Sequence, residues 1–223
     1  LILAIDTATR TASLAVYDGA AVRAEFTWDT ADHHTVELMP RIVEMLTQIG
    51  ATIDQLTGIG VSIGPGSFTG VRVGVAAAKG IALARSIPIV GMRSTDTLAW
   101  AQAGVKPPLV VVVRAGRGRL IAMNYLKGRG EWHSEGDFYL TTADRLGDNV
   151  IRPTTVCGEL TASERAALEQ RGGNRVRLLP PAACVRRAGY LAEYAWLKIQ
   201  AGDMDDPAAL QPIYIAADQK VTA

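Results

Sequence analysis

A glycine-dense turn, Gly64-Pro65-Gly66-Ser67-Phe68-Thr69-Gly70, separates the short β-branched run Ile59 to Ile63 from a long apolar helical stretch. Unpaired N–H groups and the helix dipole converge at such a turn, which makes it a ready anion site. Ser67 or Thr69 can cap the helix that follows. The phosphate motifs do not fit: the spacing G-x-G-x-x-x-G is one residue longer than the dinucleotide fingerprint, and no G-x-x-x-x-G-K-[ST] register applies. Ser67 has no base evident in the sequence, and Gly66-Ser67-Phe68 is not a nucleophile elbow. The histidines give no zinc spacing either. His33 and His34 are adjacent and point apart, His133 stands alone, and His34 with Glu37 on one helix turn supplies two ligands at most. No catalytic residue and no metal ligand set is assigned.

The elements that must position this turn give its glycines a second role. On the helix after it, Gly70, Gly74, Ala77, Ala78 and Ala84 share one narrow face without bulk, and only Arg72 and Lys79 mark a charged stripe. Close packing and direct ligand binding are both open readings of these glycines. A helix apolar nearly all round is enclosed on several sides. The helix before it, Thr35 to Ile49, has the same surplus. Leu38, Met39, Ile42, Val43, Met45, Leu46 and Ile49 cover close to half its circumference, against a stripe of about 100° on a typical surface helix. Pro40 is placed near its first turn and Gly50 at its end. Upstream, Leu1 to Asp6, Ala12 to Tyr17 and Val22 to Phe26 read as three antiparallel strands, the last two joined at Asp18-Gly19.

Downstream of the central helix, Ile87 to Met92 reads as a strand and Ser94 to Ala103 as a helix, with a hinge at Gly104 to Pro108. Leu109 to Val113, Arg119 to Tyr125 and Gly136 to Leu140 begin a second sheet. Thr154 to Cys157 and Val176 to Leu178 continue it, with helices at Thr141 to Leu146 and Ala162 to Arg171. A long helix is expected over Ala183 to Gln200. The domains read as 1–104, 105–205 and a tail, 206–223, that docks on a lobe. Two successive lobes, the first opening on three antiparallel strands, suggest the α/β, duplicated actin-like architecture with mixed sheets.

The charge balance, 23 basic against 22 acidic residues, argues against a protein that grips nucleic acid by charge alone. Arg114, Arg117 and Arg119 alternate in one segment, with Lys127 and Arg129 following, and read as a basic strand edge. Trp28, Trp100, Trp132 and Trp196 are too scattered for a base-stacking platform. Cys157 and Cys184 form no C-x-x-C and suggest no disulfide framework. The chain starts at Leu1 rather than Met, as where an initiator has been removed, and no charged-then-apolar leader opens it. Its apolar runs are too short for a bilayer, so a cytoplasmic protein with no membrane contact is expected.

At Ile5-Asp6-Thr7-Ala8-Thr9, His34-Thr35-Val36-Glu37-Leu38-Met39-Pro40 and Gly64 to Gly74, the sequence resembles the TsaB (YeaZ) family. The resemblance is dense over about the first hundred residues and thin afterwards, apart from Pro212-Ile213-Tyr214. It implies an actin-like (ASKHA, RNase H-like) fold and a subunit of the bacterial machinery that makes threonylcarbamoyladenosine in tRNA. It further implies pairing with a TsaD-type catalytic subunit through the two first-lobe helices, assembly with a TsaE-type ATPase, and contact with tRNA only through the complex. On the two helices it points to Leu38, Ile42, Met45, Ile49, Gly70, Arg72, Gly74, Ala77, Ala78 and Ile81 as the partner interface, used for homodimerisation when the chain is alone.

The fold implied by that resemblance gives Asp6 a meaning. Nucleotide-using relatives place a magnesium-associated carboxylate at the end of their first strand. A relic nucleotide site would comprise Asp6, Thr7, Gly64, Gly66 and Ser67. The second acidic wall is missing, because the start of the second lobe reads Val113-Arg114-Ala115-Gly116-Arg117, where relatives often carry Asp. A site with one acidic wall is poorly equipped to position a nucleotide for hydrolysis. Asp6 therefore reads as a turn-organising carboxylate, and no intrinsic cofactor is expected. Whether a nucleotide sits at the boundary with a partner subunit, beside Arg72 or Lys79, is left open by the sequence. The competing function is an actin-like nucleotide phosphotransferase using Asp6 and the Gly64–Gly70 loop; a glycoprotease-like metallopeptidase is the third.

Overall fold

The computed structural model describes residues 1–30, 34–116 and 118–215. His33, Arg117 and the residues after Ile215 lie outside them. The chain divides into two units, one of Leu1–Thr97 with Arg186–Ile213, the other of Leu98–Val185 with the described residues after Ile213. Each is built on its own five-stranded sheet.

In the first unit, β1 (Ile2–Asp6), β2 (Thr11–Tyr17), β3 (Val22–Asp29), β4 (Gly58–Ser62) and β5 (Ile89–Met92) lie in the order β3-β2-β1-β4-β5. Short polar connections make β1, β2 and β3 antiparallel. Helices α1 (His34–Gln48) and α2 (Phe68–Arg85) carry the chain across to β4 and β5, which are parallel to β1. One face of the sheet, through Leu3, Ile5, Ile59 and Val61, joins a single core with Leu38, Ile42, Met45, Val71 and Ala78 of the two helices. On the other face lies α6 (Ala188–Gln200). Gly60 explains the close fit there: a Cβ on it would stand 2.8 Å from the Ala195 Cβ and 3.1 Å from the Leu191 carbonyl.

The second unit repeats the wiring. Strands β6 (Leu109–Arg114), β7 (Leu120–Gly128) and β8 (Glu131–Thr141) are antiparallel, and β9 (Thr154–Gly158) and β10 (Val176–Leu178) add in parallel on the other side of β6. Helices α4 (Ala143–Asn149) and α5 (Ala162–Gly172) share a core with one face, through Leu146 and Leu168 against Val110, Val112 and Val156. The duplication is one of topology, invisible as a sequence repeat.

Five expectations need correction. The last helix starts at Ala188, not Ala183: Pro181–Cys184 is a single 3-10 turn, and Val185 and Arg187 are extended. That helix belongs to the first unit, so the 105–205 lobe loses its end to the opening lobe. The first crossing between units falls after Thr97 rather than at Gly104 to Pro108, and α3 (Ser94–Trp100) ends before Ala103. Pro40 sits well inside α1 rather than near its start. Of the tail, the described residues include Leu210, which is buried in the first core, and Ile213, whose N–H donates to the Ile63 carbonyl over 2.7 Å. No described helix is long and apolar enough to cross a membrane.

Candidate interaction surface and the Asp6 turn

Asp6 ends β1 with its carboxylate buried and fully engaged. One oxygen accepts the Ala8 N–H at 2.9 Å, closing the Thr7-Ala8-Thr9 turn, and the other lies 3.1 Å from the Arg186 Nε. Arg186 is itself buried, and its Nη2 also donates to Thr9 Oγ1 at 2.7 Å and to the Thr11 carbonyl at 2.9 Å. The extended segment before α6 thus delivers a guanidinium to the first turn of the chain. A carboxylate held in a buried ion pair, with both oxygens accepting from protein donors, is an organiser of that turn. Nothing in the sequence signalled Arg186, because Val185-Arg186-Arg187 reads as part of a helix.

The glycine turn meets the Asp6 turn as the sequence suggested, but the two satisfy each other. The Ser67 N–H donates to the Ala8 carbonyl at 2.6 Å, and the Ser67 hydroxyl caps α2 by accepting the Gly70 N–H at 3.2 Å. A Cβ on Gly66 would overlap the Ala8 carbonyl, and one on Gly70 the Thr7 carbonyl. Thr7 Oγ1 donates to the Gly70 carbonyl at 2.7 Å, and a Cβ on Gly74 would overlap that hydroxyl oxygen. Gly64, at φ +88°, lies against the Ile213 carbonyl. Gly70 and Gly74 on α2 are therefore what lets β1 and its turn come close, while Ala84 at the end of that strip is exposed. Of the relic-site residues, Asp6, Thr7, Gly66 and Ser67 are brought together; the Asp6 carboxylate is taken up by the Ala8 N–H and Arg186, the Thr7 hydroxyl by Gly70, and Ser67 by Ala8 and Gly70.

The same packing redraws the expected interface. Leu38, Ile42, Met45, Gly70, Gly74, Ala78 and Ile81 are buried in the unit's own core and present nothing to a partner. Ile49 and Ala77 are half-buried against it, and only Arg72 stands exposed. Both helices nevertheless keep apolar side chains outside. On α1 these are Val36, Met39 and Val43, 66%, 41% and 59% exposed, at the three- and four-residue spacing of one stripe. On α2 they are Phe68 and Leu83, with Arg72 stacked over the Phe68 ring at 3.7 Å. The surplus read from the sequence exists, carried on α1 by Met39 and Val43 with Val36 and on α2 by Phe68 and Leu83, not by the ten residues expected at the interface other than Arg72. Lys79 is not part of it: its ammonium donates to the Leu210 carbonyl at 3.2 Å and holds the tail.

Elsewhere the residues singled out do structural work. Glu37 accepts the Trp28 indole N–H at 2.9 Å, and Arg41 lies 4.9 Å over that ring. Arg114 pairs with Glu164 at 2.9 Å, tying the end of β6 to α5. Among the described residues no group of three metal-ligating side chains occurs. A cleft of about 510 Å³ in the second unit is lined by Asn124, Glu135, Tyr139, Thr141 and Arg152 among others. The Tyr139 hydroxyl donates to Asn124 Oδ1 at 3.2 Å, and burial pushes its pKa up to about 12.

Residues 28–181 match the model of the TsaD family, tRNA N6-adenosine threonylcarbamoyltransferase. The chain belongs to this family. Its similarity runs to the TsaB (YeaZ) members: the tRNA threonylcarbamoyladenosine biosynthesis protein TsaB of Escherichia coli K12 is 34% identical over 138 residues. That alignment spans 60% of this chain and 59% of the relative. YeaZ from Pseudomonas aeruginosa superposes with a TM-score of 0.77 at 20% identity, covering 96% of this chain and 99% of that one. Component A of the (R)-2-hydroxyglutaryl-CoA dehydratase of Acidaminococcus fermentans reaches a TM-score of 0.54 at 11% identity, covering 89% and 98%. These two structures bear on the fold, which is the actin-like one expected: mixed five-stranded sheets of matching wiring in two units.

Proposed function

We propose that this TsaB-like chain is a non-catalytic dimerisation subunit in tRNA threonylcarbamoyladenosine biosynthesis. It binds a TsaD-type catalytic subunit through the outer stripes of α1 and α2 and holds it in an active arrangement. The observation that carries this reading is the exposed set Val36, Met39, Val43, Phe68 and Leu83 on two helices whose other sides are already sealed in their own core. Exposed apolar side chains gathered on neighbouring helices mark interaction surfaces. About 800 Å² buried per partner suffices for a stable interface of standard size. In the absence of that partner the same surface pairs two copies of the chain. A TsaE-type ATPase joins the assembly, and tRNA is met through the complex. The Arg186 clamp on Asp6 supports a scaffold that carries no nucleotide of its own.

The test is co-elution with a TsaD-type subunit. Val43→Asp and Phe68→Asp should each lose it while circular dichroism and the urea midpoint stay as in the parent chain. Unaltered co-elution of both variants would refute the interface, and modification of tRNA at full rate with this chain omitted would refute the scaffold role.

A further inference from the structure

The two cysteines lie in the second unit, on β9 and on the 3-10 turn Pro181–Cys184, with their sulfurs 3.6 Å apart and both side chains buried. The environments of the two thiols differ. Cys184 receives the Cys157 S–H, and its own S–H reaches the Leu179 carbonyl at 3.8 Å, where the Arg165 guanidinium is anchored at 2.8 Å; the Gly158 N–H and the Arg165 charge favour its thiolate. Cys157 has no such donors: its S–H points to Cys184 and to the Ala183 carbonyl. Gly158 is fixed in this role, because at φ +143° its Cβ would overlap the Val112 carbonyl.

We propose that Cys157 and Cys184 form an oxidation-sensitive dithiol, a modification site at which hydrogen peroxide converts the pair to a reversible intramolecular disulfide. This goes beyond the scaffold reading and does not depend on it. Cys184 is the nucleophile. The Cys157 hydrogen bond, the Gly158 N–H and the Arg165 charge hold its pKa below the ordinary thiol value, whereas the Cys184 partner and burial push Cys157 up. The Cys184 thiolate attacks one peroxide oxygen; the S–O bond forms as the O–O bond breaks, and hydroxide leaves to become water. Cys157 then attacks the Cys184 sulfenic sulfur, forming the S–S bond and releasing the second water with its own proton. Two electrons pass from the dithiol to the peroxide, and a dithiol reductant reverses the reaction. Access requires a local opening of the Pro181–Cys184 turn, whose Pro181 and Ala182 are exposed.

The experiment treats the folded chain with hydrogen peroxide, quenches it, counts thiols by maleimide labelling after denaturation, and maps linked peptides by mass. Both thiols should disappear together into one linked peptide pair within a chain and return with dithiothreitol. Cys184→Ser should leave the Cys157 thiol intact over the same exposure, while Cys157→Ser should yield a Cys184 sulfenic acid that dimedone traps. Two results overturn the proposal. One is retention of both thiols by the folded chain where the urea-unfolded chain loses them; the other is loss of the Cys157 thiol in Cys184→Ser at the parent rate. The thiol count on the parent chain decides the matter even if a variant folds poorly.

Discussion

Replacing Arg186 with Met is the sharpest probe of how the first unit is held together. Arg186 and Asp6 are 0% and 1% exposed, so the substitution leaves a carboxylate without its counter-charge in a site water does not reach. Breaking such a buried pair from one side costs roughly 3–5 kcal/mol. The Thr9 hydroxyl and Thr11 carbonyl lose their donor as well, at about 1 kcal/mol each where the group stays dry. A loss of about 5–7 kcal/mol is a large share of the roughly 5–15 kcal/mol available to a domain. With a urea m-value of about 2 kcal/mol per molar, the midpoint falls by about 2.5–3.5 M. Asp6→Asn should cost a comparable amount, since it strands the guanidinium. The double variant Asp6→Asn/Arg186→Met should be more stable than the sum of the singles predicts, by about 2–3 kcal/mol, because neither charge is then orphaned. Urea titration followed by hydrogen exchange in the β1 and β2 peptides reads the loss in the unit that holds the pair. If Asp6→Asn is as stable as the parent and instead abolishes a magnesium-dependent ATP turnover, Asp6 is a metal carboxylate, and the clamp has been misread.

The neighbours Ile42 and Val43 separate folding from pairing: Ile42→Ala should cost about 2–5 kcal/mol in urea titration, while Val43→Ala stays within about 0.5 kcal/mol. Equal effects would show that the inward side of α1 has been misassigned. Two glycines of α2 should respond with opposite sign. Gly74→Ala should destabilise by about 1–2 kcal/mol through overlap with Thr7, whereas Gly80→Ala, with open space around it, should stabilise by about 0.5–1 kcal/mol; thermal melts report both. Tyr139 binds its proton more tightly folded than unfolded, so its contribution is whole below pH 10 and is lost as pH rises toward 12. A phenolate absorbance titration of the parent minus Tyr139→Phe should show that late step, and a step near pH 10 would contradict the burial. Closing the 27-position span between the cysteines should stabilise the oxidised chain by about 3.5 kcal/mol at most, read by urea titration with and without reductant.

Strand and helix positions were legible because local rules govern them. Asp18-Gly19 turns β2 into β3, Ser67 caps α2 before Gly70, and Gly50 follows the end of α1 at φ +67°. The apolar excess on α1 and α2 was legible too, as was the density of glycine where two backbones meet. The side of each helix that faces inward was not. Leu38, Ile42 and Met45 form one apolar stripe on α1 and Val36, Met39 and Val43 another, and composition alone gives no reason to prefer either. Only the sheet, by contacting one of them through Leu3, Ile5 and Val61, makes the choice.

By itself, the sequence determined the elements, the two-sheet class and the family, since capping, turn chemistry, periodicity and a specific glycine motif act between residues close in the chain. The tertiary structure alone decided that α6 returns to the opening sheet, that Arg186 neutralises Asp6 from 180 positions away, and that the sulfurs of Cys157 and Cys184 meet. Such pairings depend on where the chain comes back to itself. That is set by the summed burial of two cores, which no local stretch encodes.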